Sequence, residues 1–350
     1  MTSKAIIAVL FCGSCLLSAA CTAERIGKTE TAQPEQNAAP PPIPCSGGGV
    51  ARPGEYAIGT WRGTYLTADG GGGRITEPVV RTDSQQVGPW EKYHLVLLPT
   101  SNDHTNHWFI QTASGNCITA VDGGGRTADV LHTDATLAQS WEIFRFYFDH
   151  ATGYHAIQTI STKYLTALGG GGHSDPPAVH TDATMVKDWE RFHIWKCGDL
   201  GSYLDYYIWV PYNGKLLQAM QGGGRIQDAL HAYEPPTSNW GSFRLYRQGD
   251  GSYAIRTANG NYITAVGGGG LSSGTPTSDN LHTDATQVLA WEKFRFIDRG
   301  DCTYSIQTVS GWYLGYPPST IVPGPRAQFT TRISDINSAL KFKLIATHIR

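Results

Sequence analysis

Short apolar runs separated by turn residues recur along this 350-residue chain, and they return about every 50 residues. The stretch 163–192 contains one complete unit: an apolar strand at 164–167, four glycines at 169–172, a second strand ending at 179–182, and a Trp-Glu-x-Phe strand. Alternating apolar and polar positions predict β-strands. Glycine has no Cβ and readily adopts positive φ, so the glycine run predicts a tight hairpin end.

Three columns of matching residues set the register of the repeats. The first column is a tryptophan that is followed by glutamate in all of its copies except Trp240-Gly241, at Trp90, Trp141, Trp189, Trp240 and Trp291. The second is isoleucine throughout, at Ile58, Ile110, Ile157, Ile208, Ile255 and Ile306. The third belongs to a Tyr-Leu-Thr-Ala type strand, at Leu66, Ile118, Leu165, Leu217, Ile263 and Leu314. Six copies are therefore present; the fourth lacks the Thr-Asp pair and the glutamate, and the sixth keeps its strands without the other motifs.

Each copy carries about four short strands with no helical periodicity between them. Four-stranded units in groups of three predict β-trefoils, whose closed barrel leaves no open sheet edge. A chain of this length also exceeds what one hydrophobic core usually supports. The prediction is an all-β fold of two tandem β-trefoil domains, at 46–198 and 199–350, held in a fixed arrangement by a very short link. A six-bladed propeller ring is the alternative, although propeller blades tend to be shorter.

The succession of Tyr-Leu-Thr-Ala, the glycine run, Thr-Asp and Trp-Glu-x-Phe resembles the fascin-like, actin-crosslinking-like β-trefoil family and its bacterial members. The resemblance extends over roughly residues 50 to 350. It implies a non-enzymatic binding or crosslinking module that uses surface patches on two abutting trefoils. Trefoils host unrelated functions, so the pattern predicts the fold more specifically than the activity.

The N-terminus predicts export. Lys4 precedes an apolar run over 5–17 and small residues up to Cys21, so residues 1–20 are typical of a signal peptide, and the run is too short to span a bilayer comfortably. The segment before Cys21 resembles a lipoprotein box, which predicts lipidation of Cys21 and a membrane-anchored protein of the cell envelope; ordinary cleavage and secretion is the alternative. Residues 21–45 are polar and then proline-rich, which predicts an extended tether.

Net charge and cysteine content limit the binding partners and the disulfides that the sequence predicts. The formal net charge is −2 and only 16% of residues are charged, which gives no electrostatic footprint for nucleic acid. In an exported protein, Cys45 and Cys197 flank the first predicted trefoil, so a disulfide closing its ends is one prediction. Cys117 occupies a tyrosine position of other copies, which favours a buried thiol, and Cys302 has no evident partner. We expect a monomer that contacts the membrane only through a lipid anchor.

A His-Thr-Asp stretch followed by Trp-Glu is the most prominent candidate for chemistry. The candidate ligand residues in these stretches are His132, Asp134, His180, Asp182, His282, Asp284 and, in the first copy, Asp83. A hydrolase would need one pair of carboxylates around one bond, whereas here the set is repeated. We therefore expect the aspartates to stabilise turns and the glutamates to accept from nearby amides, with no catalytic residue. Copies around a barrel cannot converge on one ion, so no metal site and no cofactor are predicted.

The glycine runs lack the Gly-Lys-Ser/Thr ending of a phosphate-binding loop, but arginines follow three of them. Arg74 and Arg126 are the candidates for binding sugar hydroxyls or carboxylates. Repetition of the Trp-Glu tryptophan predicts that it is packed in the core, and the irregular aromatic residues are better candidates for stacking on sugars. The predicted function is a non-enzymatic module that binds glycan or another surface macromolecule through repeated weak sites. The alternative is a fascin-type protein-interaction scaffold with purely structural loops.

Overall fold

Each sequence repeat folds into four β-strands, as its alternating pattern predicts. The computed structural model describes residues 43–46, 50–51, 55–98, 107–202, 204–233, 239–271, 280–316 and 329–347. The predicted signal peptide, the lipidation site Cys21 and most of the tether lie outside the described residues. By contacts the chain divides into Met1–Pro41 and Pro42–Arg350, and all described strands belong to the second unit. Within the described ranges, no helix has the length and apolar character needed to cross a membrane.

The strands of the first half are β1 Ile43–Pro44, β2 Val50–Ala51, β3 Glu55–Gly59, β4 Tyr65–Ala68, β5 Val80–Ser84, β6 Lys92–Leu97, β7 Trp108–Gln111, β8 Cys117–Ala120, β9 Leu131–Ala135, β10 Leu137–Ala138, β11 Phe144–Asp149, β12 Tyr154–Thr159, β13 Tyr164–Ala167, β14 Val179–Ala183 and β15 His193–Cys197. Those of the second half are β16 Leu204–Val210, β17 Lys215–Ala219, β18 Leu230–Tyr233, β19 Ser242–Arg247, β20 Tyr253–Arg256, β21 Tyr262–Ala265, β22 Leu281–Ala285, β23 Lys293–Asp298, β24 Tyr304–Thr308, β25 Tyr313–Gly315, β26 Thr330–Ile333 and β27 Lys343–Ala346. Single-turn 3-10 helices lie at Asp69–Gly71, Pro89–Glu91, Val121–Gly123, Ser140–Glu142, Leu168–Gly170, Asp188–Glu190, Met220–Gly222, Asn239–Gly241 and Val266–Gly268.

Six of the first-half strands close into a barrel. Strands β3, β6, β7, β11, β12 and β15 are joined in that order, with a single bridge between β7 and β11. The barrel closes where β15 returns to β3, pairing His193 with Gly59 and Cys197 with Glu55. Closure leaves no free edge, and the hairpins β4–β5, β8–β9 and β13–β14 form the three caps.

The second half repeats this arrangement. Strands β16, β19, β20, β23, β24 and β27 pair in sequence, and β27 returns to β16 with Tyr206 opposite Ala346 and Trp209 opposite Lys343. The prediction of two tandem β-trefoils is confirmed. A single propeller ring is excluded because β15 returns to the first repeat instead of continuing to the fourth. The domain limits 46–198 and 199–350 stay predictions.

The predicted isoleucine column lies in the cores of the barrels. Ile58, Ile157, Ile208 and Ile306 have no exposed surface, and they pack with buried aromatic residues such as Tyr206. Because period-two alternation places every second side chain inward, one column of the alignment becomes one layer of the core.

The disulfides correct two expectations. Cys45 pairs with Cys117, and Cys197 pairs with Cys302. The predicted Cys45–Cys197 bond is therefore wrong, as is the free buried thiol at Cys117. The physical reason is that the N-terminal strand β1 pairs with β10 in the second repeat, and Cys45 donates its amide to Thr136, which places it beside β8 instead of at the barrel closure.

The two barrels are in direct contact. Trp195 of β15 pairs with Ile345 of β27, and the Cys197–Cys302 disulfide joins the end of the first barrel to the second. The His193 ring stacks on Tyr154 with 3.9 Å between centroids and lies 5.4 Å from the Trp209 ring of the second barrel. The predicted fixed arrangement agrees with these contacts, because moving the barrels apart would expose apolar and aromatic surface.

Candidate functional site

The glycine turns are where each repeat meets the next around a barrel. Each turn has four positions, at 70–73, 122–125, 169–172, 221–224 and 267–270, and the first position is Asp122 or Gln221 in two of them. The glycine at the third position is close to a threonine at the end of the next repeat's first strand. A Cβ on that glycine would lie 2.8 to 3.0 Å from the threonine Cβ, for the pairs Gly72 and Thr112, Gly124 and Thr159, Gly171 and Thr60, Gly223 and Thr257, and Gly269 and Thr308. No side chain fits there, and φ is near +100° at this position. Both the lack of space and the backbone conformation therefore require glycine.

The threonine of the His-Thr-Asp stretch completes each junction. Gly125, at the fourth position of its turn, donates its amide to the Thr181 carbonyl, and the Thr181 amide donates back to the Arg126 carbonyl. The same exchange joins Gly73 and Arg74 to Thr133. Each threonine is fully buried. The recurrence of this threonine is therefore explained by backbone pairing between neighbouring repeats.

The glutamates of the Trp-Glu pairs are structural, as predicted. Glu142 accepts from Thr119 Oγ1 at 2.6 Å and from the Gln139 amide at 2.8 Å. Glu91, Glu190 and Glu292 make the same two contacts in their own repeats. Both carboxylate oxygens of each glutamate therefore accept a hydrogen bond from its own repeat, and the side chains are buried.

The predicted ligand arginines are engaged within their own repeats. Arg74 pairs with Asp69 at 2.7 Å, and Arg126 contacts Asp122 and, at 3.5 Å, Asp129. Both side chains stay about one-third exposed, so their outer faces can still meet a ligand. Their role in binding stays a prediction.

The histidines and aspartates of the His-Thr-Asp stretches lie at the surface on either side of the buried threonine. His132 Nε2 lies 2.8 Å from Asp129. His180 lies 3.9 Å from Asp182, and His282 lies 3.7 Å from Asp284. Two candidates remain: Asp83 lies 3.5 Å from Arg81, and Asp134 is exposed. The structure keeps these groups in separate repeats, and the described residues contain no cluster of three or more metal-binding side chains.

The tryptophans of the Trp-Glu pairs are at the surface, contrary to the predicted core packing. Trp90, Trp141, Trp189 and Trp291 are 44%, 45%, 48% and 49% exposed. Each indole places its Cδ1 edge against the glycine at the second position of the adjoining turn, where a built Cβ would lie 3.3 to 3.7 Å away. The prediction was wrong because the neighbouring glutamate turns inward to cap the single-turn helix, and the tryptophan before it then points outward.

The indoles lie beside polar groups of their own repeat and apolar groups of the next. Trp141 lines an open cleft together with Leu137, Gln139, Ser140 and Glu142. Each indole also borders the next repeat, where Ala113, Ile160, Trp61 and Val309 lie beside the same glycine as Trp90, Trp141, Trp189 and Trp291, respectively. A half-exposed indole edged by hydroxyl, amide and backbone groups can stack on a flat apolar face and hydrogen-bond at its rim.

The aromatic residues predicted to be better candidates for stacking on sugars are Trp61, Trp108, Trp195, Trp209, Trp312, Tyr206, Tyr207 and Tyr212. Of these eight, two expose large surface. Trp61 is 39% exposed and Tyr212 is 61% exposed, whereas Trp108, Trp195 and Tyr206 are buried. Trp61 is the one that also joins a glycine turn, since its Cδ1 lies 3.3 Å from a Cβ built on Gly170.

These features define a tandem β-trefoil with a repeated aromatic surface site. The chain is similar to a mosquitocidal holotoxin, with 12% identity over 85% of this chain and 34% of the toxin chain, at a TM-score of 0.36. It is also similar to the designed threefold-symmetric protein ThreeFoil (18% identity, 40% of this chain and 97% of that one, TM-score 0.34) and to the Rhizoctonia solani agglutinin (15%, 43% and 99%, TM-score 0.33). No family model and no curated protein sequence matches the chain. The fold assignment rests on the strand pairing described above.

Proposed function

We propose that this protein binds carbohydrate through half-exposed tryptophans, without catalysing a reaction on it. These tryptophans lie at its lobe junctions, where the glycine turn of one repeat meets the next repeat. The observation that carries the proposal is the outward position of Trp90, Trp141, Trp189 and Trp291 in four repeats. An exposed indole is costly to leave in water and is a good partner for the C–H face of a pyranose ring. Its occurrence at equivalent places in both barrels favours a shared binding role.

The polar groups at each junction suit sugar hydroxyls. The glycine turn offers backbone groups close to the indole. At the Trp90 and Trp141 junctions, the part-exposed histidine and the exposed aspartate of the next repeat's His-Thr-Asp stretch flank the buried threonine that the turn contacts. Arg74 and Arg126 stand at two of these junctions as additional donors. Such open sites bind weakly, and several of them on one body would raise the overall affinity for a multivalent glycan by avidity.

A lipid anchor at Cys21 and the tether 21–45 would present these sites from a cell surface, and we propose export with anchoring as the protein's location. We also propose that the protein is a member of the fascin-like family. The absence of catalysis is proposed because the four recurring glutamates each accept two hydrogen bonds from their own repeat.

Glycan-array binding tests the proposal. Wild-type protein is compared with a variant that carries Trp90→Ala, Trp141→Ala, Trp189→Ala and Trp291→Ala. The matched control is Ile226→Ala, which removes an apolar side chain with 47% exposure from the fourth repeat, where the Trp-Glu pair is missing. We expect array signals to fall at least about tenfold in the fourfold variant, since stacking contacts contribute on the order of 1 kcal/mol each. The control should keep wild-type signals.

The outcomes separate the alternatives. Absence of binding to any glycan, together with capture of a surface protein, would favour the fascin-type scaffold. Cleavage of a bound sugar would overturn the non-catalytic part of the proposal. Equal signals for wild type and the fourfold variant would show that sugars bind elsewhere.

A further inference from the structure

One lobe junction differs from the others in two adjacent residues. At each described junction, one residue just after the first strand of a repeat donates its amide to the preceding glycine turn. The acceptor is the carbonyl of the glycine at the second position of that turn. These residues are Arg62, Ser114, Ser161, Asn259 and Ser310, which contact Gly170, Gly71, Gly123, Gly222 and Gly268, respectively. The residue before each is Trp61, Ala113, Ile160, Ala258 and Val309. The junction of the third lobe with the first therefore carries Trp-Arg where the others carry a smaller apolar residue and an uncharged polar one.

The two tryptophans of this junction lie side by side. Built on Gly170, a Cβ would lie 3.3 Å from Trp61 Cδ1 and 3.4 Å from Trp189 Cδ1, and 3.5 Å from Arg62 Cγ. Two half-exposed indoles thus share one glycine, whereas Trp90, Trp141 and Trp291 each stand beside an aliphatic residue. The apolar surface at this junction is therefore formed by two indoles instead of one.

Contacts with neighbouring side chains hold the Trp61 ring in place. The Tyr154 ring centroid is 5.1 Å from that of Trp61, and the Arg191 guanidinium carbon lies 5.8 Å above it. Arg191 itself pairs with Asp188 at 2.8 Å, which neutralises its charge. A ring fixed by its own neighbours loses little entropy when a ligand stacks on it.

Arg62 supplies an uncompensated positive charge at this junction. Its side chain is exposed, and among the described residues its guanidinium forms no ion pair or hydrogen bond. The other two cations at the glycine turns of the first barrel, Arg74 and Arg126, are paired with aspartates of their own repeats. A free guanidinium beside an apolar platform is suited to a carboxylate, which it can bind through two parallel hydrogen bonds.

We infer that the Trp61–Arg62–Trp189 junction binds an acidic saccharide, one that carries a carboxylate on its sugar ring. The indoles contact the apolar face of the ring, and Arg62 binds the carboxylate. The inference rests on the proposed carbohydrate-binding function and assigns this junction a preference that the other junctions lack. Neutral sugars are left to the junctions at Trp90, Trp141 and Trp291.

Calorimetric titration with matched ligands tests the assignment. The probes are 3′-sialyllactose and tetragalacturonate, each compared with its carboxyl methyl ester, which keeps the rings and removes the charge. Wild-type protein should bind at least one of the acids about tenfold more tightly than its ester, the size expected for a charge-assisted bidentate contact. Arg62→Ser, which installs the residue of three other junctions, should abolish that difference and leave ester binding unchanged. Trp61→Ala, which copies the second repeat, should weaken acid and ester alike, and Trp90→Ala should leave the acid preference intact.

The controls separate this inference from the one it rests on. Thermal unfolding of each variant verifies that it folds. Equal affinity for acid and ester in wild type, or an acid preference that survives Arg62→Ser, would overturn the assignment while binding of neutral glycans through Trp90, Trp141 and Trp291 still stands. Failure of every saccharide, charged or neutral, to bind the wild-type chain would overturn both.

Discussion

Gly171 of the third repeat packs directly against Thr60 of the first repeat, leaving no room for a side chain between them. The equivalent contacts run from the first repeat to the second and from the second to the third. The circle therefore closes after three repeats. This contact defines a lobe junction, and every candidate binding residue discussed above lies at or beside one.

Alanine at the third position of a glycine turn should destabilise the protein more than alanine at the fourth position. Gly124 and Gly125 have φ of 102° and 92°, so both substitutions strain the backbone. A Cβ on Gly124 would also overlap Thr159, whereas a Cβ on Gly125 meets nothing within 4 Å. We expect Gly124→Ala to cost about 2 kcal/mol more than Gly125→Ala in urea unfolding. Equal losses would mean that the junction is looser than the structure shows.

Removing the carboxylate of a Trp-Glu pair should lower the stability of the protein and leave the proposed glycan contacts in place. Glu142→Ala leaves Thr119 Oγ1 and the Gln139 amide without their acceptor, and we expect a loss of about 2–4 kcal/mol in the free energy of unfolding. Asp134→Ala, in the same repeat but exposed, should cost less than about 0.5 kcal/mol. Chemical denaturation of both variants provides the comparison. A fully stable Glu142→Ala variant would contradict the structural role.

Mild acid should weaken the interface between the barrels through His193. Burial lowers the pKa of His193 well below its usual value, and His155 and Lys343 lower it further. Below a pH of about 6.5 the unfolded chain takes up a proton that the folded chain does not, so stability falls as the pH falls. From pH 7 to 5.5 we expect a loss of about 1 kcal/mol from this residue.

The control for this pH effect is His193→Phe, which keeps an aromatic ring against Tyr154 and removes the titrating group. The difference in unfolding free energy between pH 7 and 5.5 should be about 1 kcal/mol smaller in the variant than in wild type. Identical pH profiles for the two proteins would mean that His193 is protonated equally well in the folded state.

Non-reducing peptide mapping of the exported protein should recover Cys45 with Cys117 and Cys197 with Cys302. Loss of the second bond in a Cys197→Ser, Cys302→Ser double variant should lower stability by about 2–5 kcal/mol, because the bond closes a long loop of the unfolded chain. Recovery of a Cys45–Cys197 peptide would contradict the structure.

The sequence predicts the fold well because period-two alternation and repeated glycine turns are local properties. The burial of Ile157 and the positive φ of Gly171 are properties that each repeat specifies for itself, and the structural role of Glu142 follows from a threonine and an amide of its own repeat. Disulfide pairing could not be predicted in the same way, since Cys117 meets Cys45 only after β1 has paired with β10. Spacing alone also cannot tell whether the tryptophan before a buried glutamate points inward or outward.

The candidate binding residues that the sequence did not predict also depend on contacts between distant parts of the chain. Trp189 and its counterparts recur, and recurrence alone favoured the core. The combination of Trp61 with Arg62 departs from the repeat pattern, and a comparison of copies at that position would have singled it out. Its meaning still required the structure, because Trp61 and Trp189 are far apart in sequence and meet only when the third lobe returns to the first.

The most direct test of the carbohydrate-binding proposal is fluorine NMR of protein labelled with 5-fluorotryptophan and titrated with a glycan pool. Each resonance is assigned by single substitution. The proposal predicts that signals from Trp90, Trp141, Trp189, Trp291 and Trp61 shift with added glycan while those of buried Trp108 and Trp195 stay in place. Shifts confined to the buried tryptophans, or no shift at any concentration of glycan, would contradict it.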